Sequence, residues 1–506
     1  MQTQMAAHMA QGRGKMPEIR HIIVALAALA VFSGCTFIPD LNSPPSPAPP
    51  LYPGGRGYDP ALMNKTEGQV LNELAWEAFF RDDTVKTLIT KGLENNRNLK
   101  ATALAIEEAR ARYGIERSRL LPEVSGDGAF TRQRTPRSET GFPAPDSITQ
   151  TWRAALNVTA YELDLFGRLR SLSEAAVNEY FATEAAREGV RISLIADIAS
   201  AYIDYRTDRA LLALANETLR ARRDSYELIR LKAREGVASE LDLRQAETLL
   251  HAARADRFAY INAVARDQNA LRLLLGTPKQ MPDLEAPVSP EIFFSRFAAE
   301  IPAGLPSVLL TSRPDILQAE YALKAANANI GAARAAFFPA VSLTAAGGYA
   351  AAQFSDLFEA GSRYWQFSPQ VRIPVFTAGR LKNSLDISEI RKQRAVLDYE
   401  RSIETAFREV ADALSAVSTY DERVAAQADL VAATEAATRL SELRYNAGVE
   451  SYLNVLDAKR QLYAARQEVI RQKAAGLKAK ISLYKAVGGG RQRLPAGSKA
   501  ESPHVP

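Results

Sequence analysis

Cys35 is the one thiol in 506 residues, and His8, His21, His251 and His504 are the only imidazoles. A lone thiol can accept an acyl group but can form no disulfide within its own chain. Three of the histidines fall in the terminal segments. Imidazole-dependent acid/base or metal chemistry would therefore rest on His251 alone, which sits in an Ala- and Arg-rich helical pattern where a solvated side chain is the plain reading. No catalytic constellation, cofactor site or metal site is expected. The chemistry to look for is acylation, ion attraction and docking.

The surroundings of Cys35 specify the acylation. Arg13, Lys15 and Arg20 precede an apolar run of about eleven residues, Ile22 to Phe32, which ends in Ser33-Gly34-Cys35. That is the layout of a secretory signal peptide over 1–34, too short to span a bilayer as a helix. Small residues before the cysteine fit the bacterial lipobox, with Phe32 in the place of the usual Leu. A lipid on Cys35 would anchor the chain without spanning. Thr36, in place of Asp, matches an outer-membrane address. The alternative is a free thiol following an ordinary signal peptide.

Composition bounds the class. The chain is 47% hydrophobic, enough for a sizeable core, and 63 basic residues nearly balance 58 acidic ones for a net charge of +5. Charges of both signs are mixed along the chain, so no basic stripe for nucleic acid is expected. Seven prolines between Pro39 and Pro53 mark 35–60 as an extended tether. The Gly-, Pro- and charge-rich stretch 488–506 reads as a disordered tail. Its G-G-G at 488–490 lacks the strand and Lys-Ser/Thr context of a phosphate loop and reads as a helix stop.

Between these ends the sequence repeats itself. S-R-L-L-P-E-V-S (118–125) aligns with A-A-F-F-P-A-V-S 217 residues later, while L-F-G-R-L-R-S (165–171) and R-E-G-V-A-S-E-L (234–241) align with F-T-A-G-R-L-K-N-S and N-A-G-V-E-S-Y-L at an offset of 212. The first copy therefore carries five extra residues, placed by composition in the polar run 135–146. The copies are expected over 61–277 and 315–487, joined by the Pro-rich linker 278–314.

No proline interrupts 168–277 or 375–494, which favours helices. Ile403, Phe407, Val410, Leu414, Val417, Asp421, Val424, Ala428 and Val431 alternate by four and three. The residues 212 earlier are Arg191, Ile195, Ile198, Tyr202, Tyr205, Arg209, Leu212, Asn216 and Leu219. Both copies thus share one coiled-coil register, which needs partner helices side by side. Gly167 to Gly236 would make a helix of roughly 100 Å. Pieces of about 25 residues (Asn96 to Leu120, Asp315 to Phe338) and about 36 residues (Ser239 to Leu275, Ser451 to Val487) could stack in pairs beside each long helix.

Strands are expected where helices stop. Leu156, Val158 and Ala160 alternate with Asn157, Thr159 and Tyr161; Val371, Ile373 and Val375 alternate with Arg372 and Pro374. With partners near Val124 to Phe130 and Val341 to Tyr349, each copy offers a β-hairpin, about 122–166 and about 339–378. Four strands cannot close a membrane barrel, whose minimum is about eight, and open edges are not tolerated in lipid. The chain must oligomerise to finish its barrel.

W-E-A-F-F-R-D (76–82), the L-L-P and F-F-P junctions at 120–122 and 337–339, D-L-F-G-R (164–168) and R-Y-N-A-G-V-E-S-Y-L-N-V-L-D-A-K-R-Q-L (444–462) together resemble the outer-membrane factor family, the TolC-like efflux channels, in its OprM/NodT lipoprotein branch. The resemblance covers about Leu71 to Val487. It implies a mainly α fold with a transmembrane β-barrel: an internally duplicated channel-tunnel, four strands plus long coiled-coil helices per protomer, and a homotrimer with a twelve-stranded barrel and a twelve-helix periplasmic tunnel. An equatorial belt would draw on 278–314. The implied partners are a periplasmic adaptor, an inner-membrane RND pump and outer-membrane lipid.

The resemblance also gives two sites roles. The tips near 236 and 448, with Gly236, Val237, Ser239, Gly448, Val449 and Ser451, correspond to adaptor-contacting turns. The local reading stands beside it: Gly makes the turn, Ser239 and Ser451 cap the next helices, and Asp242 supports a capping box. Tyr445, Glu450, Asn454 and Asp457 match the family's periplasmic gate, although Asn454 replaces a frequent second acid. Three copies of Asp457 would form an acidic, cation-favouring ring; a solvated helix carboxylate is the alternative. The function so implied is a passive efflux exit duct in the Gram-negative outer membrane, with no enzyme activity. Protein secretion and metal-ion efflux are the alternatives within the fold, and a periplasmic coiled-coil scaffold lies outside it.

Overall fold

The computed structural model describes residues 36–42, 44–49, 52–55, 57–58, 75–135, 147–277, 284, 293–294, 297–298 and 313–489. Cys35, the signal segment, the run 136–146, most of 278–312 and the tail from 490 lie outside them. The chain divides into two compact units, the first formed by 1–44, 106–183 and 319–399 and the second by the remainder.

The first unit is built on a four-stranded antiparallel sheet in sequence order, β1 (Val124–Thr135), β2 (Ser147–Leu163), β3 (Ala340–Ala351) and β4 (Arg363–Arg372). Its register sorts side chains by polarity. Gly126 lies opposite Leu156 and Phe130 opposite Trp152, Leu156 opposite Gly347, and Gly347 opposite Trp365 and Ala345 opposite Phe367. Because side chains alternate along a strand, all of these share one face. That face is exposed, with Trp365 at 81%. The opposite face carries Ser125, Asp127, Asn157, Gln366, Ser368 and Gln370, and there the Asn157 amide donates to Asp127. An apolar face meeting no core, backed by a polar one, is the pattern of a barrel wall between lipid and water.

Two strand details depart from the sequence reading. A bulge between Val158 and Tyr161 shifts the register by one, so Tyr161 and Leu163 join the apolar face and Ala160 drops out of the alternation. Ala160 takes a positive φ of 51°, and its N–H donates to Thr344 Oγ1 at 3.2 Å. An extra residue with a local bend is what a bulge introduces. The last strand ends at Arg372, so Ile373 and Val375 lie beyond it; Pro374 could not donate to a ladder.

The Pro-rich N-terminal stretch is extended but docked. Phe37 stacks on Phe338 at 4.6 Å and on Phe166 at 6.5 Å, and Asn327 Nδ2 donates to Pro39 O at 2.7 Å. Gly331 makes room for it, since a Cβ there would lie 2.6 Å from Ile38.

The helices follow in chain order: α1 (Trp76–Phe79), α2 (Asp83–Asn95), α3 (Arg97–Ser118), α4 (Arg168–Arg234), α5 (Glu240–Leu275), α6 (Pro314–Ala335), α7 (Arg380–Ser418), α8 (Tyr420–Asn446) and α9 (Tyr452–Ala486). Four begin and end within a few residues of the expected pieces. The 67-residue α4 is launched by Asp164, whose carboxylate accepts from the N–H groups of Leu169 and Arg170 at 3.0 and 2.9 Å. Gly167 there and Gly379 in the second copy both take positive φ, 74° and 82°. Among the described residues no helix is long and apolar enough to cross a membrane.

In the second unit Phe79 lies parallel to Tyr484 at 4.1 Å, Phe80 meets Phe297 edge-on, and Ile195, Ile198 and Tyr202 of the α4 seam are fully buried beside them. The seam then slides: Leu211, Ala215, Arg222 and Ile229 are buried, where a strict heptad names Leu212, Asn216 and Leu219. The second-copy seam is not continuous either. Its long helix breaks at Thr419, whose Oγ1 back-bonds to Ser415 O at 3.0 Å, and the Tyr420 ring occupies the space over Gly476, where a Cβ would lie 1.6 Å from a ring carbon.

Candidate functional site: the two helical-hairpin tips

The turn from α4 to α5 and the turn from α8 to α9 are built alike. Gly236 and Gly448 have φ of 73° and 74°. Val237 N–H donates to Lys232 O at 2.8 Å and Gly236 N–H to Ala233 O at 3.1 Å; Val449 and Gly448 do the same to Arg444 O and Tyr445 O at 3.0 and 2.9 Å. This pairing of six-to-one and five-to-two bonds closes a helix C-terminus and requires a left-handed residue, hence Gly.

The helices that follow start differently. Ser239 accepts from Asp242 N–H while Asp242 accepts from Ser239 N–H, a complete capping box. Ser451 occupies the N-cap but makes no side-chain capping bond, contrary to the sequence expectation. The third residue of that helix is Asn454 rather than an acid, and its amide donates to Glu450 Oε1 at 2.8 Å instead.

Behind the turns the two copies share a core of Ile229, Ala246, Tyr452, Val455 and Leu456, with Tyr226, Leu243 and Tyr445 packed against it. Tyr445 lies 5.2 Å from Tyr452, and Lys232 Nζ sits 5.1 Å from the Tyr445 ring centre. Burial pushes the Tyr452 hydroxyl up to about 12 and raises that of Tyr445, so both phenols stay neutral. In front of the turns Val237 and Val449 are 75% and 66% exposed.

The four gate candidates do not form one cluster within the chain. Glu450 is the hub, holding Arg444 Nε at 3.0 Å as well as Asn454. Tyr445 belongs to the aromatic pair, and Asp457 accepts from Gln461 at 2.7 Å on the exposed helix face. Sequence reasoning missed Arg444, Lys232 and Tyr452, although Arg444 and Tyr452 lie in the same segment; only helix crossing brings Lys232 to Tyr445. Among the described residues no group of His, Cys, Asp or Glu is arranged to hold a metal.

The model of the outer membrane efflux protein family matches residues 88–277 and 305–489. The chain is 44% identical over 471 residues to the toluene efflux pump outer membrane protein TtgC of Pseudomonas putida, covering 92% of this chain and 95% of that one. It is 38% identical over 466 residues to the cation efflux system protein CusC of Escherichia coli, covering 92% and 98%. The open-state crystal structure of the Neisseria gonorrhoeae MtrE outer membrane channel superimposes with a TM-score of 0.80 at 34% identity, covering 91% of this chain and 99% of that one.

Proposed function

Because the chain belongs to the outer membrane efflux protein family, we propose that three copies close their four-stranded sheets into one outer-membrane barrel and conduct small apolar organic compounds out of the cell. The observation that carries this reading is the sheet, with an exposed apolar face, a polar reverse and two free edges at β1 and β4. Free strand edges in lipid leave backbone groups unsatisfied, and pairing β4 of one copy with β1 of the next removes every edge. The higher identity to the toluene pump component than to the cation one favours organic cargo.

Export is driven elsewhere, by a pump that reaches this duct through a periplasmic adaptor. Val237 and Val449, held out by stiff turns, offer that adaptor apolar contacts, and Gly236, Ser239, Gly448 and Ser451 shape them. Tyr445, Glu450, Asn454 and Asp457 form the entrance, with the Arg444–Glu450–Asn454 bonds restraining it and Asp457 lending negative charge. Cys35 carries the lipid. Phe37, two residues on, stacks on Phe338, which in turn stacks on Phe166.

The test is complementation. A Gram-negative strain lacking its own channel, supplied with this chain and its cognate adaptor and pump, should regain tolerance to toluene and gain no tolerance to metal cations. Rescue of metal tolerance alone would assign a cation cargo instead.

A further inference from the structure

The register that gathers Phe130, Trp152, Trp365 and Phe367 on the apolar face of the sheet carries three arginines onto it as well. Arg132 and Arg134 follow Phe130 by two and four residues on β1, and Arg363 precedes Trp365 by two on β4, directly opposite Tyr349. Among the described residues of the four strands these are the charged side chains of that face, since Asp127, Arg153, Glu162 and Arg372 fall on the polar one. All three stand where β1 turns to β2 and β3 turns to β4. The helices join the opposite end of the sheet, so the arginines belong to the end that faces the exterior.

An aromatic layer lies against them. Phe130 is 4.3 Å from Trp152, Trp152 is 5.0 Å from Phe354, and Tyr349 is 5.5 Å from Phe358. Phe354 and Phe358 belong to the turn between β3 and β4 and are exposed. The Arg363 guanidinium sits 6.0 Å from the centre of the Tyr349 ring. Barrels carry such aromatic girdles where hydrocarbon gives way to headgroups. At the usual strand rise Arg132 and Arg134 lie about 7 and about 14 Å along β1 beyond Phe130, and a strand tilt of about 40° shortens these to about 5 and about 11 Å of depth. A headgroup layer is about 5–8 Å deep on each side. The turn also holds two acids, Asp356, which accepts from Ser355 Oγ at 2.6 Å, and Glu359; neither stands on a strand.

A guanidinium at headgroup depth meets phosphate, whose oxygens match its planar fork. We propose that Arg132, Arg134 and Arg363, with the aromatic layer beneath them, bind a phosphorylated glycolipid of the outer leaflet, the arginines holding its phosphate esters and the rings packing on its chains. This rests on reading the apolar face as a barrel wall. Arg132 and Arg134 stand on one edge strand and Arg363 on the other, so each seam of the proposed trimer carries arginines from both sides, and a lipid bound there bridges two copies.

Native mass spectrometry of the detergent-solubilised full-length protein reads chain count and bound lipid together, with diphosphoryl lipid A and the same lipid stripped of phosphate as the probes. Lipid A is expected on the three-chain particle, and its dephosphorylated form should bind at least about tenfold more weakly. The triple variant Arg132→Gln, Arg134→Gln, Arg363→Gln should weaken lipid A binding to the same extent and keep three chains. Arg132→Gln alone should weaken it by several-fold, which decides the matter should the triple variant not assemble. Arg153→Gln, on the polar face, should leave it unchanged. Equal retention of the two lipids by the parent, undiminished lipid A binding in the arginine variants, or an equal loss in Arg153→Gln would overturn the site and leave the trimer standing. Particles of one chain would remove the barrel wall and this site with it.

Discussion

Asn96 and Arg313, 217 residues apart, do the same work in the two copies: Asn96 Nδ2 donates to Leu274 O at 2.8 Å, and Arg313 Nη1 donates to Ala486 O at 2.5 Å. The two acceptors end α5 and α9 and are themselves 212 residues apart. Each is followed two residues on by a left-handed glycine, Gly276 or Gly488. A helix C-terminus leaves carbonyls without partners, and a buried end needs a donor from elsewhere. Arg313 adds ion pairs to Asp315 and Glu409, both at 2.7 Å.

Removing either cap should therefore destabilise the fold. Asn96→Ala strands the Leu274 carbonyl and also the buried Leu99 N–H that its Oδ1 accepts from at 3.0 Å, at about 1–3 kcal/mol each. Arg313→Ala strands the Ala486 carbonyl at a similar cost and removes two ion pairs to half-exposed carboxylates, worth about 0–1 kcal/mol each. Differential scanning calorimetry should place the melting temperature of each variant below that of the parent; an unchanged melting temperature in either would count against its capping role.

The break at Thr419 gives a second test. Gly476→Ala would drive a methyl group into the Tyr420 ring, an overpacking expected to cost about 1–3 kcal/mol. Tyr420→Ala vacates the space, so the double variant should recover part of the loss. Additive losses in a double-mutant cycle would mean that the two side chains do not compete.

Stability should also depend on pH through Asp267. Burial first, then the carboxylates of Asp208 and Asp204, push its pKa up to about 7; Asp208 is raised as well. Arg266 opposes the shift of both, Arg471 opposes that of Asp208, and Lys478 contacts Asp204. With the folded pKa above the unfolded one, the fold binds the proton more tightly. Its contribution is full below about pH 4 and is lost as pH rises to about 7. Asp267→Asn should flatten the melting temperature across that window and raise it above pH 7. An unchanged profile would show that Asp267 ionises normally.

At the tip, Glu450→Gln weakens two contacts in every copy and should raise single-channel conductance. Tyr445→Phe keeps the ring against Tyr452 and should change conductance little. Asp457→Asn should chiefly reduce cation preference. Planar-bilayer recordings with parental conductance and selectivity in all three would move the constriction elsewhere.

Much of this was legible in the sequence because duplication exposes itself: Gly167, Gly236 and Gly276 recur as Gly379, Gly448 and Gly488, all with positive φ. Helix limits followed from proline-free spans. What stayed hidden depended on contacts between distant segments. The bulge at Ala160 rests on Thr344, the break at Thr419 on Gly476, and the docking of Phe37 on Phe338. The gate residues were legible as a segment but not as a network, since Lys232 reaches Tyr445 only after the helices cross.

The central claim is that one chain is an incomplete barrel, and the native mass of the detergent-solubilised protein tests it most directly. The sheet with edges at β1 and β4 requires further copies, and the proposed twelve-stranded barrel predicts a particle of three chains. A stable particle of a single chain would contradict the account, because four strands cannot enclose a pore.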